Sequence, residues 1–391
     1  MPQENKKKER VKKMIKFGKW VVKFRIPILI LSFLLLIPTG IIYMNTRINY
    51  DILSYLPGDI ETMKGQDILL DEFGTGAFSV AVIDGMQEKE ISQLEDKLKE
   101  IDHVKDVLWY GALADISIPM DMLPDDLKDS LQNADTGSQL MIITFDTSMS
   151  ADETLDAIEE IRGLTNEQCL LSGMSAVVTD IKKICNSEVI MYVVIAAGLS
   201  ALVLALTMDS FLLPFIFLLS IGMAIVYNLG TNFIAGEISF VTQALAAVLQ
   251  LAVTMDYSIF LWHSYLENQE RYPDDKKRAM SHAISQTLTS VVGSSITTIA
   301  GFLAMCFMTF TLGMDLGIVM AKGVVFGVVG CVTILPAMIL AMDKWIEKTR
   351  HKAIIPDLGR IGGFVTKHYW IFIILFLVII GPAFYGQNHN Q

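Results

Sequence analysis

Seven stretches of about 18 to 25 largely uncharged residues dominate this chain, at 26–44, 189–208, 211–230, 239–264, 285–309, 317–341 and 369–386. Each is too long and too uniformly apolar for an alternating barrel strand, which leaves membrane-crossing helices. Composition agrees, with 52% hydrophobic and 19% charged residues and a mean hydropathy of +0.46. The apolar run from Ile26 follows a Lys-rich start but lacks a small-x-small cleavage site, so it reads as an uncleaved first span.

Charge fixes the expected sidedness. Ten Lys or Arg precede the first span, and Lys344, Lys348, Arg350, Lys352, Arg360 and Lys367 lie between the sixth and seventh. Both groups belong in the cytoplasm. The lead-in 1–25 and the linker 342–368 are then cytoplasmic, with 45–188 and the tail 387–391 outside the cytoplasmic membrane. Residues 46–188 hold 29 acidic against 10 basic side chains, about −19 of a net −11, so the remainder is basic. That balance excludes nucleic acid as a partner. The basic lead-in, with Val11, Met14, Ile15, Phe17 and Trp20 among its lysines, reads as an interfacial helix drawn to anionic membrane lipid.

The exterior segment is long enough for its own core. It reads as strand 77–84, helix 89–101, strand 104–110, an insert at 111–136 with a short helix, strand 140–145, helix 151–162 and strand 169–171. Two βαβ-like halves in this order predict a ferredoxin-like α+β module. The expected fold is therefore a polytopic α-helical membrane protein carrying an extracytoplasmic ferredoxin-like domain, with a helical core over 189–341. Cys169 and Cys185 are weak evidence for a disulfide, and no cysteine has metal-type spacing.

The approach to the seventh span, RIGGFVTKHYW at 360–370, echoes KFGKWVVKFR at 16–25. Each leads into an apolar run broken by a late proline, Pro38 or Pro382. The chain begins a second copy of itself, as duplicated transporters do. The expectation is a piece of a longer transporter, or a half that assembles with another copy.

Asp256 is the most informative residue, since an ionised carboxylate deep in a span costs several kcal/mol unless compensated. One reading is a proton-binding carboxyl with Tyr257 as relay partner. The other is a neutral, hydrogen-bonded Asp that only clamps helices. Span 5 offers Ser290, Ser294, Ser295, Thr297 and Thr298 as hydroxyls that face Asp256 if the two spans pack; Ser294, Ser295 and Thr298 are the candidate relay partners, against simple back-bonding to their own helix. Asp315 and Lys322, seven apart, share one helix face, and Asp315 or a snorkelling interface position is the expected compensation for the lysine. Gly313 with Gly317 and Gly323 with Gly327 are close-packing pairs. No phosphate-binding loop, zinc-protease helix, nucleophile elbow or dinucleotide fingerprint is present, so neither enzyme chemistry nor a cofactor is indicated.

TRINYD at 46–51 with LeuPro at 56–57, QLAVTMDYSIFL at 250–261, SSITTIAGF at 294–302 and LGMDLGIVMAKGVVF at 312–326 resemble the resistance-nodulation-division (RND) superfamily. Within it the chain resembles the MMPL transporters, whose core is similar to the sterol-sensing domain. The resemblance implies a proton-driven exporter of lipids or other hydrophobic or amphiphilic molecules, with the exterior module on the substrate path. It also implies that Asp256 and Tyr257 face a second Asp-Tyr pair supplied by the second repeat, which this chain does not contain. Two other readings stay open: a non-transporting lipid- or sterol-sensing receptor, and an export accessory of the SecD/SecF type.

Overall fold

The computed structural model describes residues 2–109, 133, 136–351 and 359–389. The strand end at Tyr110, the short helix of the 111–136 insert, residues 352–358 of the linker and the last two residues of the tail lie outside the described residues. Among the described residues, seven helices are long and apolar enough to cross a membrane. They are α2 (Arg25–Met44), α6 (Met174–Thr207), α7 (Leu213–Gly230), α8 (Phe240–Arg271), α9 (Lys276–Ala304), α10 (Leu312–Lys348) and α12 (Tyr369–His389). The other α-helices among the described residues are α1 (Pro2–Lys23), α3 (Glu61–Asp71), α4 (Glu88–Lys99), α5 (Asp152–Leu164) and α11 (Gly359–Lys367).

The acid-rich segment forms a four-stranded antiparallel sheet of β2 (Ala77–Ile83), β3 (Val104–Leu108), β4 (Gln139–Phe145) and β5 (Cys169–Ser172). The spatial order β3-β4-β2-β5, with α4 connecting β2 to β3 and α5 connecting β4 to β5, is the split βαβ arrangement of a ferredoxin-like domain. Strict alternation explains it. Ala77, Ser79, Ala81 and Ile83 of β2 and Met141, Ile143 and Phe145 of β4 point inward, while Phe78 is exposed. Ile91, Leu94 and Leu98 of α4 and Ala157, Ile158 and Ile161 of α5 cover that face. Cys169 lies in this core and Cys185 on α6, both as free thiols.

The expected second span, 189–208, is the inner part of a longer helix. α6 starts at Met174 on the sheet itself, where Ser175 Oγ donates to the Phe78 carbonyl at 3.3 Å. Gly173, at φ 103°, precedes it and lies so close to the Ser79 backbone that a Cβ would sit 3.0 Å from its Cα. Domain and bundle are thus joined by one unbroken rod.

A second joint forms where β1 (Arg47–Asn49) pairs in parallel with β6 (Glu237–Ser239), the residues just before α8. Beside it Tyr50 packs with Leu155, Val178 and Phe240 and donates to Asn186 Oδ1 at 3.1 Å. Burial, reinforced by Cys185, pushes the Tyr50 phenol up to about 12. A raised folded-state value means this contribution is complete below the ordinary tyrosine value near 10 and drains away as pH rises through about 12. Thermal melts of the detergent-solubilised protein should lose stability over that alkaline window, and Tyr50→Phe should remove that part of the loss.

In the bundle, α7 and α10 each bury 67% of their apolar stretch, whereas α2 and α6 bury 6%. The core is therefore an α7–α10 pair flanked by α8 and α9. α12 has no buried residue, and it follows α11 as α2 follows α1, so the sequence echo has a structural counterpart. At the end remote from the sheet, Asp209 ties three elements together. It accepts from the Trp262 indole at 3.0 Å, pairs with Arg350 at 3.1 Å and accepts from the His351 N–H at 2.9 Å. The lead-in helix α1 buries Val21 and Val22 in the bundle core, with Phe17 against it, and leaves Trp20 exposed.

Candidate functional site

α8 presents two chemically different faces. Thr242, Ala246, Gln250, Thr254, Tyr257, Ser258 and Leu261 point inward. Leu245, Leu249, Ala252, Asp256, Phe260 and His263 form an outward stripe at helical spacing. Asp256 therefore stands exposed at mid-span, not packed within its own bundle, and its carboxyl has no hydrogen-bond or ion-pair partner among the described residues. The helical phase decides this: one residue on, Tyr257 is 7% exposed and packed in the core.

Ser295 of α9, buried, donates its hydroxyl to Tyr257 Oη at 3.0 Å. Of the five hydroxyls expected near the pair, this one reaches it, and it does so through the tyrosine. Ser294 donates to the Val291 carbonyl at 3.0 Å, while Thr297 and Thr298 donate to the Ser294 carbonyl at 2.7 and 3.2 Å. Those three satisfy themselves within α9. Ser290 is exposed.

Asp315 and Lys322 form no ion pair with each other, so of the two expected compensations for the lysine the direct pairing with Asp315 is not made. Asp315, in the first turn of α10, accepts from the Ser239 N–H at 2.9 Å and from the Thr242 hydroxyl at 2.6 Å. Ser239 is the N-cap of α8, so the carboxylate satisfies one backbone N–H and one hydroxyl at a positive helix end. Lys322 instead donates to Asn232 Oδ1. Both residues line a cavity of about 400 Å³ with Tyr55 and Glu237, near the β1–β6 joint.

A polar layer absent from the sequence expectations crosses the core. Asn228 Nδ2 of α7 donates to Gln250 Oε1 of α8 at 3.0 Å, and the other polar atom of each amide is buried without a partner among the described residues. Gly323 packs on this pair and Gly327 on the Thr254 side chain. Neutral amides in apolar runs were the available signal. They carry no charge penalty and so do not stand out as Asp256 does. Chemically, the arrangement offers one titratable carboxyl on an open face, backed by a tyrosine–serine bond and a buried amide layer.

The MMPL family model matches residues 74–368. The putative membrane protein SCO5905 of Streptomyces coelicolor is 25% identical over 295 residues, covering 70% of this chain and 35% of that protein. The probable transport protein MmpL12 of Mycobacterium tuberculosis is 24% identical over 299 residues, covering 72% of this chain and 24% of that protein. The putative membrane protein MJ1562 of Methanocaldococcus jannaschii is 36% identical over 99 residues, a quarter of each chain. The match thus spans between 24% and 35% of these relatives' own length. Among solved structures, SecDF in its super-membrane-facing form aligns with a TM-score of 0.44 and 13% identity, covering 84% of this chain and 39% of that one.

Proposed function

This chain belongs to the MMPL family of membrane transport proteins, and from that premise we propose that it serves proton-motive-force-driven export of lipids or other hydrophobic or amphiphilic molecules across the cytoplasmic membrane. Asp256 takes up and releases the proton, Tyr257 and Ser295 connect it to the core, and the ferredoxin-like domain stands on the outer side on the substrate path.

The observation that carries this reading is the exposed mid-span carboxyl. An acidic side chain turned toward hydrocarbon costs about 2.5–3.5 kcal/mol or more. A stripe holding one is therefore a face to be covered, by a second half from a longer chain or by another copy, so that the carboxyl sits in a seam with access to protons. Inverted or tandem halves that meet at a mid-membrane site provide that geometry.

Spin labels test the seam. In a background with the native cysteines replaced, a label at Ala252→Cys, on the Asp256 stripe, should be shielded from lipid-dissolved oxygen in native membranes. A label at Leu199→Cys on the outer side of α6 should be accessible. Equal accessibility at the two positions would place Asp256 against lipid and remove the basis for proton coupling.

A further inference from the structure

At the end remote from the sheet, the chain breaks at Phe24 between α1 and α2, and α9 begins close by. Gly18 of α1 packs directly on the Ser281 carbonyl. The elbow and the α9 N-terminus enclose an open cavity of about 660 Å³, within the range of about 300–1,000 Å³ usual for ligand pockets. Lys19, Lys23, Arg25, Lys277 and Arg278 line it, with Asp275 as the single acid. Five cations against one anion leave a formal +4.

The surrounding protein neutralises other cations but not these. Lys276 is held by Asp343 and Glu347 at 2.7 and 2.6 Å, and Arg350 by Asp209 at 3.1 Å. None of the five cavity cations has an ion pair among the described residues. Asp275 is occupied otherwise, its carboxylate capping α9 by accepting from the Arg278 N–H at 2.9 Å. Arg278 is set in place over the Tyr272 ring, 4.5 Å from its centroid. Like charges gathered in one concavity repel one another and concentrate anions, and the N-terminus of α9 adds its own positive potential.

Depth selects the anion. Arg25 and Ile26 are the first residues of one membrane-crossing helix, and Lys277 and Arg278 lie in the first turn of another. The cavity therefore sits where a bilayer's headgroups lie, with the exposed apolar Ile26 beside it. Basic pockets between membrane helices at this level suit phosphate headgroups. We propose that this cavity is a specific site for the phosphate of an anionic phospholipid, separate from the proton site on α8.

The test uses the purified chain in detergent, titrated with phosphatidylglycerol or phosphatidylcholine of matched acyl chains and read by native mass spectrometry. One phosphatidylglycerol should be retained in preference to phosphatidylcholine. Lys23→Gln with Arg278→Gln should weaken that binding about tenfold or more, while Lys12→Gln with Lys13→Gln, exposed on α1 outside the cavity, should leave it unchanged. The charge-conserving Lys23→Arg with Lys277→Arg should keep it, which covers the case in which the neutral variant fails to fold. Equal retention of the two lipids, or equal loss in the two glutamine variants, would overturn the site as diffuse attraction. Displacement by inorganic phosphate at matched concentration would overturn the lipid as its source.

Discussion

Gly327→Leu should abolish accumulation of folded protein in the membrane, whereas Gly330→Ala, one turn on in the same helix, should be neutral. At 327 even the first added carbon overlaps Thr254 Cγ2, and Thr254 is pinned by its own hydroxyl, which donates to the Gln250 carbonyl at 2.6 Å. Gln250 in turn holds Asn228, so the side chain that must yield belongs to the polar layer joining α7 and α8. At 330 the new methyl would lie 3.7 Å from the Ala224 Cβ, an ordinary contact. Overpacking costs typically about 1–3 kcal/mol and more when the neighbour cannot move, and apolar association within lipid offers little to offset it. Detergent-resistant monomer yield and melting temperature check the pair of variants. If Gly327→Leu folds normally, the α8–α10 contact described above is wrong.

Much of this architecture is legible in the sequence because two periodicities write it. Alternation along AFSVAVID marks β2, since every second side chain goes to the core, and the long uncharged runs mark the spans. Legibility fails where a neighbour is chosen by tertiary phase. Residues 174–188 of α6 are too charged to read as part of a span, yet the helix runs unbroken from the sheet into the bundle. The three-residue strands β1 and β6 are nearly 190 positions apart, and neither is long enough to announce itself. Spacing placed Asp315 and Lys322 on one face of α10 but could not say that one would meet the start of α8 and the other Asn232. Among the clustered hydroxyls of α9, only the angle between α8 and α9 selects Ser295. Composition flagged Asp256 as anomalous but could not tell that its helix turns it outward.

That outward carboxyl makes Asp256→Asn the most informative substitution. Asparagine matches aspartate in shape, lacks the titrating proton and is cheaper to hold beside hydrocarbon than a carboxylate. The variant should therefore reach the membrane at wild-type level and melt no lower than the parent, which separates a loss of function from a loss of fold. Asp256→Glu keeps a titratable group one methylene further out and should retain part of the activity. The decisive measurement is accumulation of a fluorescent amphiphile by everted vesicles carrying the complete transporter, driven by an imposed proton gradient. The account predicts gradient-dependent accumulation that a protonophore collapses and that falls to background in Asp256→Asn. Undiminished, gradient-dependent accumulation by that variant would contradict it.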